Sequence, residues 1–242
     1  LSNPISTRGY LTSTQDCCKL VSMRIHFQLS RVVAGLFYAL IFLTPLLFYP
    51  FSSELFEFNK MVAVYIFTTI IVSTWVIRCL KEGRLIFRRT ILDTPILIFL
   101  ASQAISTVTS IDLRTSIFGY YSRFNGGLLS LISYSFLYWA YVSNMDRQKS
   151  LKAIKFLLAS AGLISLYGIL EHFGRSPSCL YVSFTQSPLR DVLGNFNKYF
   201  SVACWEQDVQ IRVFATLGQP NWLAAWLVAL IPISWALALN TK

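Results

Sequence analysis

The sequence predicts an all-α, polytopic transmembrane helical bundle, and three observations carry that class. Apolar residues make up 55% of the 242-residue chain and charged residues only 13%, roughly half the charge of a soluble domain. Mean hydropathy is +0.54 and the apolar residues fall in long blocks. Lys and Arg collect in the short loops between those blocks, where they set the orientation of a membrane protein. An aromatic content of 15% excludes disorder. The net charge of +10 raises the question of nucleic acid. That partner is not expected, because the basic residues do not share one soluble face.

Residues 1–22 are polar and patternless, and Met23-Arg24-Ile25-His26 forms a short basic lead into the first apolar block. Translation is therefore expected to begin at Met23, with 1–22 outside the native protein and 23–242 forming the membrane domain. A cleaved signal peptide is the rival for 23–50. The apolar run is too long for one, and Tyr49-Pro50-Phe51 lacks the small residues of a cleavage site. A crossing helix needs about 20 apolar residues. Six stretches qualify or nearly do: about 32–51, 61–77, 91–108, 127–142, 154–171 and 221–239. Asp93 and Pro95 interrupt the third, and the fourth is short.

With the N-terminus inside, the inner segments hold fourteen of the 21 Lys and Arg residues. The two internal inner loops are the most telling. They carry Arg78, Lys81, Arg84, Arg88 and Arg89, then Arg147, Lys149, Lys152 and Lys155, against Glu82 and Asp146. This bias predicts an even number of spans with an inside N-terminus. It leaves two substantial outer loops, about 109–126 and 172–220, where function on a polytopic protein usually sits. The second is expected to contain short interfacial helices.

Several chemistries are missing. There is no GxxxxGK[ST] or GxGxxG phosphate loop, no HExxH, no Asp-x-Asp pair, and no Cys/His cluster with zinc spacing. No cofactor or metal is expected. The predicted spans hold no Asp, Glu, Lys or Arg deep inside, which weakens a coupled-transporter reading. In the first outer loop, Ser110 or Asp112 is placed to cap a short helix. Arg123 stands among Tyr120, Tyr121 and Phe124. Spacing leaves two roles open for it: an anchor among ordinary headgroups, or a forked ligand for a lipid phosphate. At the end of the second loop, Gly218 and Pro220 break the backbone before the last span. Either Arg212, Gln219 and Asn221 line a cavity there, or Pro220 simply starts a helix with Asn221 as polar trim. Glu171-His172 forms either an acid–base pair or a membrane boundary. Cys179 and Cys204 lie in the same outer loop, so a disulfide between them suits an oxidising compartment.

Three stretches carry a likeness: Glu57-Phe58-Asn59-Lys60, residues 110–127, and above all Arg-x-Phe-x-Thr-x-Gly-x-Pro-Asn-x-x-Ala over 212–225. With these the chain resembles the O-antigen ligase and O-antigen polymerase family of bacterial membrane glycosyltransferases. The resemblance implies a GT-C-like helical fold with about twice this many spans, of which the chain is the N-terminal half. It implies transfer of a glycan from a polyprenyl-diphosphate carrier to a lipid or glycan acceptor, at the outer face of the cytoplasmic membrane. Arg212 matches a donor diphosphate ligand of the family and Arg123 is a second, with Gln219, Asn221 and Arg114 lining the cavity. The family's acceptor-activating histidine is expected beyond Lys242, and His172 does not correspond to it. A flippase or transporter for lipid-linked sugars and a membrane scaffold are the alternatives.

Overall fold

A computed structural model describes residues 28–49, 52, 54–205 and 208–240. The expectations for residues 1–22 and for a start at Met23 lie outside them. Among the described residues the chain is all-helical, and its one β contact is an isolated antiparallel bridge between Arg175 and Ser201. Four helices are long and apolar enough to cross a membrane: α1 (Gln28–Leu46), α2 (Glu57–Glu82), α6 (Arg147–His172) and α10 (Pro220–Asn240). Between them come α3 (Asp93–Val108), α4 (Leu113–Phe118) and α5 (Leu128–Asn144). After α6 come α7 (Pro177–Gln186), α8 (Leu189–Gly194) and α9 (Phe196–Tyr199), then 3-10 turns at Val202–Cys204 and Ala215–Leu217.

Each of the six apolar stretches contains a helix, but among the described residues six helices of full spanning length are not present. α3 has 16 residues and α5 has 17. At 1.5 Å per residue they reach about 24–26 Å, short of a hydrocarbon core of about 30 Å. The first helix also ends at Leu46, earlier than the expected 32–51. The Pro45 carbonyl turns away to accept the Thr216 hydroxyl at 2.8 Å, and the Tyr49 amide bonds the Leu55 carbonyl.

The core lies where α1, α2, α5 and α6 meet. Val33, Ala34, Phe37 and Leu40 pack on Val64, Ile71 and Trp75, with Ala140 and Ala153 closing the contact. Small residues at Ala140, Ala153, Ser133 and Ser160 are buried, which lets helix backbones approach closely. Elsewhere large apolar side chains stand exposed, as Ile66, Leu97, Ile105, Leu166, Ile231 and Trp235 do. In lipid such surfaces carry no hydration cost.

The two ends of the bundle differ. At one end, Arg78 bonds Asn144 at 2.8 Å and Glu82 at 2.8 Å, while Lys149 reaches Ser30 at 2.9 Å and Asp146 at 3.2 Å. That basic network ties α1, α2, α5 and α6 together. At the other end, the loop between α3 and α5 and the long segment after α6 fold over the start of α2. This loop end carries the candidate site.

Candidate functional site

Residues 212–222 are held by side chains from four separate elements. Phe214 enters an aromatic cluster with Phe56, Trp205 and Phe48. Ala215 takes a left-handed conformation at φ 49°, and its amide donates to the buried Glu171 carboxylate at 2.9 Å. Thr216 hooks its hydroxyl on Pro45, and its carbonyl accepts the Lys60 ammonium. Gly218 follows at φ 79° against the Phe56 ring, where a Cβ would come within 2.6 Å of Cγ. Only glycine fits both the angle and the space. Pro220 then opens α10, with the Gln219 carbonyl accepting from the Trp222 and Leu223 amides.

The loop between α3 and α5 is built as closely. Asp112, not Ser110, caps α4, accepting from the Arg114 and Thr115 amides at 3.0 and 3.2 Å. The Thr115 hydroxyl and these amides hold the Asp112 carboxyl below its usual range. Gly119 passes so near Asn125 that a Cβ would lie 2.1 Å from the Asn125 carbonyl oxygen. The tip bends back at Phe124, φ 52°, and the Phe124 carbonyl accepts the Tyr65 hydroxyl of α2 at 2.7 Å.

These turns bring Arg123 to the start of α2 and of α10. Its guanidinium pairs with Glu57 at 3.0 Å and lies over the rings of Tyr120 and Trp222, at 5.6 and 5.4 Å. Beside it opens a cavity of about 270 Å³ lined by Glu57, Lys60, Met61, Asn125, Leu217, Trp222 and Trp226. Lys60 sits 5.7 Å above the Phe56 ring. Cations, indole and amide groups therefore gather at one mouth, an arrangement that can bind an anion.

The expected site residues are only partly brought together. Arg123 stands beside this cavity. Arg212 is exposed, and its side chain has no partner among the described residues. Gln219 and Asn221 are also exposed and do not line the cavity; from this part of the chain Leu217, Trp222 and Trp226 do. Arg114 lies over Tyr121 at 4.9 Å and lines a separate pocket of about 210 Å³ with Asp112 and Phe118. Glu171 and His172 do not form an acid–base pair. Glu171 is fully buried beneath Ala215, whereas His172 faces out and its Nδ1 meets the Gln210 carbonyl at 2.9 Å. Cys179 and Cys204 are joined in a disulfide, Cα–Cα 5.6 Å. Among the described residues no His, Cys, Asp or Glu cluster of metal-binding size gathers.

Lys60, Asn125 and Trp226 escaped the sequence reading as site residues. Lys60 had one available signal, a lone cation at the start of an apolar helix, three residues after Glu57. The chain matches no family model, no curated protein and no solved structure.

Proposed function

We propose that the chain belongs to an outer-facing membrane glycosyltransferase that moves a glycan from a polyprenyl-diphosphate carrier to a lipid or glycan acceptor, in the manner of the O-antigen ligases and polymerases. One observation carries the reading. The three stretches that hold the resemblance lie far apart in sequence, yet they meet around one cavity through Arg123–Glu57, Arg123–Trp222 and Lys60–Thr216. The basic residues concentrated at the opposite end support an orientation with this cavity on the outer side of a bacterial cytoplasmic membrane.

In this reading the acceptor hydroxyl attacks the anomeric carbon and the polyprenyl diphosphate leaves. Negative charge grows on the diphosphate as the bond breaks. Cations already fixed in a site of low dielectric stabilise that charge where it develops. Arg123 is held in place by two aromatic rings and is released to the substrate by exchange with Glu57. Arg212, exposed and uncommitted, is free to close on the diphosphate from the loop side.

The test is glycan transfer in membranes containing the natural protein. Arg123→Ala and Arg212→Ala should each raise the barrier by about 2–4 kcal/mol, the cost of a lost oxyanion donor, with membrane insertion unchanged. Transfer at the wild-type rate in both variants would end the reading.

A further inference from the structure

The cavity at the loop end holds more donors than acceptors. Its one carboxylate, Glu57, is committed to Arg123 at 3.0 Å. Among the described residues no carboxylate lies within ion-pair distance of Lys60, which gives one proton to the Thr216 carbonyl. Two ammonium protons remain for a ligand. The Asn125 side-chain oxygen is taken by the Gly126 amide at 2.8 Å and the Tyr134 hydroxyl at 3.3 Å. Its amide nitrogen and the indole N–H groups of Trp222 and Trp226 have no acceptor among the described residues. A half-buried ammonium between aromatic walls is costly until an anion offsets it. A donor-rich, acceptor-poor cavity selects a ligand made of acceptor oxygens and negative charge.

We propose that Lys60 is a direct ligand for a phosphate or diphosphate group in this cavity, with Arg123 turning from Glu57 to share the bound anion. Identification of that anion as the leaving group of glycan transfer rests on the function proposed above. The anion site itself does not. The compact ammonium reads charge, while the flat guanidinium supplies two parallel bonds. Together they suit a diphosphate better than an isolated carboxylate.

The test uses the natural protein in lipid nanodiscs, with inorganic pyrophosphate and a polyprenyl diphosphate as probes and tryptophan fluorescence as the readout. Lys60→Gln keeps a donor for the Thr216 carbonyl but removes the charge; Lys60→Arg keeps both. Lys152→Gln removes the same charge at the opposite end of the bundle. Lys60→Gln should bind at least about tenfold more weakly, the weight of one charge-assisted hydrogen bond. Lys60→Arg should stay within a few-fold of wild type, and Lys152→Gln should match it. A loss for both probes marks a site open to free phosphate; a loss for the lipid probe alone marks a headgroup site. Wild-type affinity in Lys60→Gln for both probes would reduce Lys60 to a strut and overturn the proposal. So would a wild-type protein that binds neither. Should Lys60→Gln not fold, Trp226→Phe answers instead: an unchanged fluorescence response to pyrophosphate would put the anion elsewhere. Lys60-dependent binding without glycan transfer keeps the site and ends the transferase reading. Transfer with unaltered kcat and KM in Lys60→Gln does the reverse.

Discussion

Replacing Gly218 by alanine probes the joint on which the candidate site turns. Two separate costs are expected. The backbone angle, φ 79°, lies in the left-handed region, where an alanine costs about 1–2 kcal/mol. The new methyl group would also sit 2.6–2.8 Å from Cγ, Cδ2 and Cβ of Phe56. That ring cannot yield easily, because Phe48, Trp205 and Phe214 pack around it with centroids 5.3, 5.9 and 5.7 Å away. Overpacking of this kind costs about 1–3 kcal/mol, giving about 2–5 kcal/mol in all. Gly83→Ala is the matched control. Gly83 has φ 61° and open space within 4 Å of the added carbon, so it meets the backbone cost alone. Thermal unfolding of both variants in detergent, followed by tryptophan fluorescence, measures the difference. Gly218→Ala should unfold at the lower temperature. Equal losses in the two variants would show that Phe56 does not pin the turn, and would remove the packing argument for the whole 212–222 segment.

Two further outcomes test the loops. The Cys179–Cys204 bridge closes a separation of 25 residues, worth about 3 kcal/mol in the chain-entropy model. Reductant should lower the unfolding temperature of the wild type to that of Cys204→Ser and leave the variant unmoved; a wild type indifferent to reductant would refute it. For α4, the Thr115 hydroxyl and the capping amides depress the Asp112 pKa below its unfolded value. The stabilisation is therefore complete above the ordinary carboxylate range and is lost as pH falls through the lower folded-state value. A spin label on α4 should gain mobility only in that acid window, and the same acid response in Asp112→Asn would show that Asp112 is not responsible.

Hydropathy located each long helix because burial in lipid acts on every residue of a span. It also placed Arg123 and the 212–225 segment at the same end. What it could not reveal is the division of labour inside the motif. Phe214, Thr216 and Gly218 serve the turn itself, through the aromatic cluster, the Pro45 carbonyl and the fit against Phe56. Of the polar residues around them, Gln219 and Asn221 are exposed and do not line the cavity they were expected to line. Lys60 supplies its chemistry from 156 residues upstream of Thr216. No local pattern records a contact at that separation. Exposure of Arg212 is a property of the turn's three-dimensional path and is equally invisible in spacing.

The shortness of α3 and α5 leads to the last prediction. α2 has 26 residues and spans about 39 Å, whereas its neighbours reach about 24–26 Å. Both connecting loops are drawn inward along it. Tyr65, eight residues into α2, holds the Phe124 carbonyl, and at the other end Trp75 donates to the Ile86 carbonyl at 2.9 Å, seven residues before Glu82. Each loop is therefore tied to a side chain rooted about 10–12 Å along the α2 axis from its end. Irregular backbone survives at such depth only beneath protein or beside a wet cavity, and Asn125 and Lys60 both line the recess at this end. The prediction is that α3 and α5 cross through a locally thinned layer, with the cavity in place of their missing length. Single cysteines at the exposed positions Arg88 and Arg114, in a protein with Cys17, Cys18 and Cys79 replaced, should react with an impermeant maleimide from opposite sides of sealed vesicles. Labelling of both from one side would make α3 and α5 a re-entrant pair. The chain would then have four spans, and the recess would not be the product of short crossing helices.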